Sequence, residues 1–230
     1  AEAVSALRSA RRPIVLAGGG VHLSDACEVL QAFAQELNIP VAHTMTGKGA
    51  IACSHPLSAG LFGRYDRIAN DLIAQSDCLL VVGCKLGEIA TRRFTLIPDS
   101  VPLIHVEMVA EAMGSTTPAT VPVWADVREG VRDLHEALSP TAAEQRADRQ
   151  SWVDGVASKM AVWSEEVRGR LESNEVPVNM ARMLNELNLR MPEDGLLVAD
   201  GGFAAHWGGL LFNTKRAGRG FIPDRGFASI

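Results

Sequence analysis

Apolar residues recur along this chain in two rhythms. Residues 13–17 (Pro-Ile-Val-Leu-Ala) and 78–83 (Cys-Leu-Leu-Val-Val-Gly) carry no charged side chain, the pattern of strands covered by helices on both faces. Residues 102–106 and 121–124 repeat it, and residues 38–43 (Asn-Ile-Pro-Val-Ala-His) form a further extended segment. Between them the spacing is helical. Residues 24–37 read as a helix with Ser24 as N-cap, residues 66–75 place Ile68, Leu72 and Ile73 on one side, and residues 127–138 supply a closing helix. Buried strands alternating with helices predict a parallel sheet with right-handed crossovers, a doubly wound α/β domain of about six strands over residues 1–138.

The rhythm then changes. Residues 139–149 turn to Pro, Thr, Ala, Gln and charge without apolar periodicity, which reads as an exposed linker. Residues 151–171 follow as a connecting helix with Trp152, Val156, Met160 and Trp163 toward one side. After Glu175-Val176-Pro177, Asn179 is placed to cap a helix ending near Met191. A strand over residues 196–199 closes at Asp200-Gly201-Gly202, and residues 204–213 are again helical. The expected organisation is therefore a Rossmann-like domain (1–138), a linker and helix (139–173), and the start of a second α/β domain (174–230) that is unfinished at Ile230. The opening Ala1-Glu2-Ala3-Val4 has no initiator Met and already looks helical, so the natural protein is expected to begin earlier.

Composition narrows the classes. Of the 230 residues, 47% are hydrophobic, enough to fill a sizeable core, and 22 Lys plus Arg against 27 Asp plus Glu give a charge of −5 with no basic run. The phosphate-neutralising surface of a nucleic-acid binder is not visible. No apolar run approaches the roughly 20 residues of a membrane-spanning helix, and no signal segment opens the chain. The four cysteines, Cys27, Cys53, Cys78 and Cys84, have no C-x-x-C spacing and fit buried thiols in a reducing, cytoplasmic compartment.

Candidate chemistry gathers at strand ends. Gly18-Gly19-Gly20 follows a strand and opens toward a helix, where glycines let a backbone approach a pyrophosphate. Leu23 stands where G-x-G-x-x-G would need its third glycine, so a turn that merely tightens strand-to-helix packing is an equal reading. Lys85, Glu107 and Asp126 lie at the carboxyl ends of three strands, the edge where open α/β sheets bind ligands. Lysine there suits phosphate and a carboxylate suits ribose hydroxyls, against solvated charge as the plain alternative. Gly47-Lys48-Gly49 lacks the frame and the Ser/Thr of a P-loop, since Ala50 follows. His22, His43, His55, His105, His135 and His206 show no metal-ligand spacing. Neither a G-x-S-x-G elbow nor a reactive-cysteine signature is present.

In order along the chain, residues 11–21 (Arg-Arg-Pro-Ile-Val-Leu-Ala-Gly-Gly-Gly-Val), Ile39-Pro40-Val41, Thr46-Gly47-Lys48-Gly49-Ala50 with His55-Pro56-Leu57, Leu79 to Gly83 and Ile104-His105-Val106-Glu107 resemble the middle domain of thiamine diphosphate-dependent enzymes of the acetolactate synthase group. Residues 196–202 followed by His206-Trp207 resemble the opening of that family's diphosphate-binding domain, and residues 226–230 the segment just after it. The resemblance implies a full-length protein that uses thiamine diphosphate and Mg2+ to make or break carbon–carbon bonds next to a 2-oxo acid carbonyl. It also implies remaining domains on the same polypeptide, bringing the activating glutamate and the magnesium motif, and a homodimer or homotetramer. By itself the 230-residue chain is expected to be inactive.

For FAD-containing members the resemblance carries contacts with the flavin's ADP part to Gly18, Gly19, Gly20, Thr44, Met45, Gly60, Leu61, Gly83, Lys85, Glu107, Met108, Asp126 and Val127. It carries contacts with the thiamine diphosphate to Gly202, Phe203 and Ala204. Two positions depart from the family pattern: Lys85 stands where FAD-binding members have Arg, and Phe203-Ala204 stand where acetolactate synthases have polar Gln and His. These departures keep open a decarboxylase or lyase of the benzoylformate or oxalyl-CoA type. A non-catalytic module holding FAD or ADP is the alternative from a different class.

Overall fold

The computed structural model describes residues 1–224. Helix α1 (Glu2–Ser9) leads into β1 (Pro13–Ala17), followed by a one-turn α2 (Gly20–Leu23), α3 (Cys27–Leu37), β2 (Val41–His43), β3 (Ser58–Leu61), α4 (Ala69–Gln75), β4 (Cys78–Val82), β5 (Leu103–Glu107), β6 (Val121–Trp124) and α5 (Val127–Leu138). All six strands run parallel in the order β3-β2-β1-β4-β5-β6, so the expected doubly wound α/β fold is the one present. Strand pleating sends alternate residues to opposite faces. Val15, Ala17, Leu80 and Val82 face a core filled by Leu30, Phe33 and Leu37 of α3 and Val131, Leu134 and Leu138 of α5. Ile14, Leu16, Leu79 and Val81 face Leu72 and Ile73 of α4 and, further along, Trp152 and Val156. Burying each such Leu or Phe contributes about 1.5–3 kcal/mol.

Several expectations need correction. The helix expected over residues 24–37 begins only at Cys27, because Asp25 turns into the left-handed region (φ 49°) between α2 and α3. Ser24 ends α2, and Ala26 is the N-cap of α3. Strand β3 carried no signal, since Ser-Ala-Gly-Leu has neither β-branched nor aromatic residues. Strand β6 is not buried on both faces: it is a sheet edge with alternating exposure, Trp124 outward and Pro122 where no further strand needs its missing N–H.

Nor is the segment 139–149 an exposed linker. It forms α6 (Ala142–Asp148), and Arg149 beyond it is fully buried. Its guanidinium donates to the carbonyls of Leu7, Ala10 and Leu37 and to Gln145 Oε1, joining the ends of α1 and α3, where a cation also complements the helix dipoles. Helix α7 (Gln150–Leu171) then crosses the second face, with Trp152 and Val156 buried and Met160 and Trp163 packed beside them.

A smaller layer follows: α8 (Met180–Arg190), capped by Asn179 through Ala181 N–H, then β7 (Leu197–Ala199), α9 (Phe203–Leu211) and β8 (Phe221–Pro223). Strands β7 and β8 pair in parallel as a two-stranded sheet. Helix α9 packs along the β3 edge of the large sheet, covering it. The resemblance noted for residues 226–230 lies outside the described residues.

Candidate nucleotide cleft

The order 3-2-1-4-5-6 reverses direction between β1 and β4, and the loops leaving their carboxyl ends diverge there, opening a crevice. A cleft of about 910 Å³ lies at this point, near the top of the roughly 300–1,000 Å³ range of small-molecule sites.

Its floor is the contact between two glycine turns. Gly18 N–H donates to Val82 O and Gly20 N–H to Gly83 O, both at 2.9 Å. A Cβ on Gly18 would lie 2.1 Å from Gly83 O, and one on Gly20 2.6 Å from Gly83 Cα. Close packing of β1 against β4 therefore accounts for Gly18 and Gly20 without a ligand, while the same residues line the cleft. Gly19 caps α2 and faces Thr46, whose Oγ1 would be 3.1 Å from a Cβ there.

The walls come from four loops. After β2, Thr44 Oγ1 accepts from Gly47 N–H at 3.1 Å, holding the Thr44-Met45-Thr46 turn against the floor. At the end of β5, Glu107 is buried, and its Oε1 accepts the N–H groups of Met108 (3.0 Å) and Val109 (3.2 Å). Trp124 Nε1–H donates to Met108 O at 2.8 Å and fixes the same turn. Leu23, Ile89, Met108 and Val109 are large apolar side chains left exposed around the cleft, the kind of rim that a flat aromatic ligand covers. Positive charge comes from Arg64, Lys85 and Arg219. His22 adds none near neutrality: burial lowers its pKa below the ordinary value, and its Nε2 and Nδ1 are engaged with Lys48 O and Cys27 Sγ.

Residues 1–134 match the family described as "Thiamine pyrophosphate enzyme, central domain". The chain belongs to the thiamine pyrophosphate enzymes, in the acetolactate synthase group. It is 27% identical, over its whole length, to 39% of a probable acetolactate synthase large subunit from Methanococcus aeolicus. Two thirds of it (66%) are 35% identical to 24% of a 3D-(3,5/4)-trihydroxycyclohexane-1,2-dione hydrolase from Geobacillus thermodenitrificans. Similarly, 73% of it is 29% identical to 28% of a sulfoacetaldehyde acetyltransferase from Alcaligenes xylosoxydans xylosoxydans. The chain thus spans well under half the length of these relatives.

Within this thiamine pyrophosphate enzyme domain, Gly18, Gly19, Gly20, Thr44, Met45, Leu61, Gly83, Lys85, Glu107, Met108 and Val127 come together around the cleft. Others do not line it. Gly60 (φ 78°) packs against the Arg67 side chain, and Asp126 caps α5 by accepting from Arg128 and Glu129 N–H. Gly202, Phe203 and Ala204 form the exposed start of α9, although His206, one turn on, reaches the cleft. Sequence reasoning did not single out Arg64, Tyr65, Arg219 or the strand β8 as lining residues. Arg64 and Tyr65 follow β3, and Arg219 precedes β8, so their placement depends on two elements with little local signal. Cys53 is partly exposed, unlike the buried Cys27, Cys78 and Cys84. Among the described residues no group of three His, Cys, Asp or Glu side chains is placed to hold a metal, and no helix is long and apolar enough to cross a membrane.

Proposed function

We propose that the cleft holds an ADP unit, as ADP itself or as that half of FAD, in the middle domain of an enzyme acting on 2-oxo acids. The observation that carries this reading is the cleft's composition: a backbone-lined glycine floor at the switch point, Lys85 beside it, Glu107 across from it, and an exposed apolar rim. In this reading Lys85 and Arg64 neutralise phosphate, Glu107 accepts from ribose hydroxyls, and Met108 with Val109 covers the adenine. Spectra of freshly purified protein test it. Flavin bands support FAD, stabilisation of a colourless protein by ADP supports the nucleotide alone, and indifference to both leaves a purely structural domain.

Residues 174–230 are read as the N-terminal part of the diphosphate-binding domain, joined to the middle domain (1–138) by residues 139–173. The start of α9 fits a diphosphate through its N–H groups: Gly202 (φ 63°) enters the helix, and Phe203 and Ala204 are exposed. When bound, thiamine diphosphate supplies stabilisation of the carbanion next to the substrate carbonyl. Magnesium ligands would lie outside the described residues. The whole protein is then a cytoplasmic homo-oligomer that makes or breaks carbon–carbon bonds beside a 2-oxo acid carbonyl, while residues 1–230 alone turn nothing over. Titrating the full-length enzyme with thiamine diphosphate plus magnesium checks this, and absence of both binding and 2-oxo acid turnover overturns it. The apolar Phe203-Ala204 turn favours a second reading, a decarboxylase or lyase of the benzoylformate or oxalyl-CoA type. A substrate panel in the same assay separates the two.

A further inference from the structure

The sequence shows no reactive-cysteine motif, yet the fold assembles a thiol site away from the cleft floor. Lys48 is 0% exposed, and its Nζ donates to Gly209 O at 2.9 Å. His43, 3% exposed, uses Nδ1 toward Thr44 O at 2.9 Å, which makes that nitrogen the donor and leaves Nε2 as an acceptor. That buried Nε2 has no hydrogen-bond partner of its own. Both side chains face Cys53, the one cysteine that is partly exposed. Its backbone N–H donates to Thr214 O (2.9 Å) and its Sγ lies 3.3 Å from Thr214 Oγ1, which pins the side chain. Arg67 adds a second positive charge from the loop before α4, and neither Lys48 nor Arg67 is paired with a carboxylate among the described residues.

A buried ammonium without a counter-charge is costly. The acidic group that faces both cations is the Cys53 thiol.

We infer that Cys53 is held as a thiolate by Lys48, with Arg67 beside it, and is a site of modification by peroxides and soft electrophiles. Burial alone would push its pKa up, but the Lys48 charge, with Arg67 adding to it, outweighs burial and holds it well below the usual thiol value. Burial dominates at the others, with Asp25, Asp77 and Glu107 respectively adding to it, and pushes Cys27 up to about 11 and Cys78 and Cys84 up to about 12. With a hydroperoxide, the Cys53 sulfur attacks one peroxide oxygen. The S–O bond forms as the O–O bond breaks, sulfur is oxidised by two electrons to sulfenic acid, and the departing hydroxide takes a proton from Lys48 or water. The new S–OH finds an acceptor in His43 Nε2. An uncharged adduct removes the counter-charge of Lys48, whose remaining contacts are the α9 carbonyl of Gly209 and the Phe221 ring of β8, so modification is transmitted to those elements.

The test is the pH profile of alkylation in the intact protein, with iodoacetamide as probe and peptide mass spectrometry reading each cysteine. The rate at Cys53 is expected to be nearly flat from pH 7 to 9, whereas an ordinary thiol with pKa about 8.5 gains close to tenfold per unit below it. Cys27, Cys78 and Cys84 should react only after denaturation. In Lys48→Met the Cys53 midpoint should rise by at least about one unit, and dimedone should trap a sulfenic acid at Cys53 of the wild type after hydrogen peroxide. A wild-type profile of ordinary slope overturns the inference, and so does labelling no faster than the buried cysteines. A low midpoint that persists in folded Lys48→Met overturns the role of Lys48. The wild-type profile decides the main point even where that variant does not fold.

Discussion

The two sheets of this molecule are built on opposite economies. In the large sheet, β1 and β4 are buried at every position and covered by apolar helices on both faces. In the small one, β7 turns Val198 outward at 64% exposure and α9 opens with Phe203 at 76%. A two-stranded sheet is marginal by itself. What holds this one is polar as well as apolar: Lys48 reaches Gly209 O, while Arg67 reaches Leu210 O and Asn213 Oδ1 and stacks its guanidinium 4.7 Å from the Trp163 ring. The large sheet carries its own stability, and the small one borrows its position from it.

The largest expected effect strikes the joint of the large sheet. Gly18→Val would drive a side chain into Gly83, and a loss exceeding about 4 kcal/mol is expected, read as failure to recover folded protein. If Gly18→Val melts near the wild type, the close β1–β4 contact is not what requires glycine there. Next is Arg149→Met, which strands three buried helix-end carbonyls and should cost about 3 kcal/mol in urea unfolding. Arg67→Ala should cost about 1–2 kcal/mol, but unevenly. Amide exchange should quicken across α9 and β8 and stay slow in β1 and β4, and equal quickening in all four would show one cooperative unit. Smallest is Asp126→Ala, about 1 kcal/mol through the lost cap of α5, with Asp126→Asn close to neutral in thermal melts.

The same contrast explains what was legible in the sequence. Strands β1 and β4 show in the apolar pattern because burial on both faces leaves no polar position, and β5 shows through Leu103, Ile104 and Val106 despite its buried His105 and Glu107. Asn179 announces α8 because a cap is a local device. Strand β3 was silent, since its small residues serve a close approach: Gly60 takes φ 78° against the Arg67 side chain. Arg149 was misread because composition counts a guanidinium as surface, and three carbonyls from α1 and its flank and from α3 meet only in the folded chain. In the cleft, Gly18, Lys85 and Glu107 were legible as strand-end residues, and Gly83 entered through the family resemblance. Arg64, Tyr65 and Arg219 were not, because their place depends on how α9 and β8 dock on the large sheet. Asp126 does stand at its strand end but does not line the cleft; its Oδ1 caps the first turn of α5.

Nucleotide binding at the β1–β4 crevice is the claim on which the functional reading rests. Its most direct test is calorimetric titration of the intact protein, stripped of any bound nucleotide, with ADP and with FAD. The expected result is saturable binding of at least one of them, weakened about tenfold, or about 1.4 kcal/mol, in Lys85→Glu. Absence of binding by both, or binding that Lys85→Glu leaves unchanged, would contradict it.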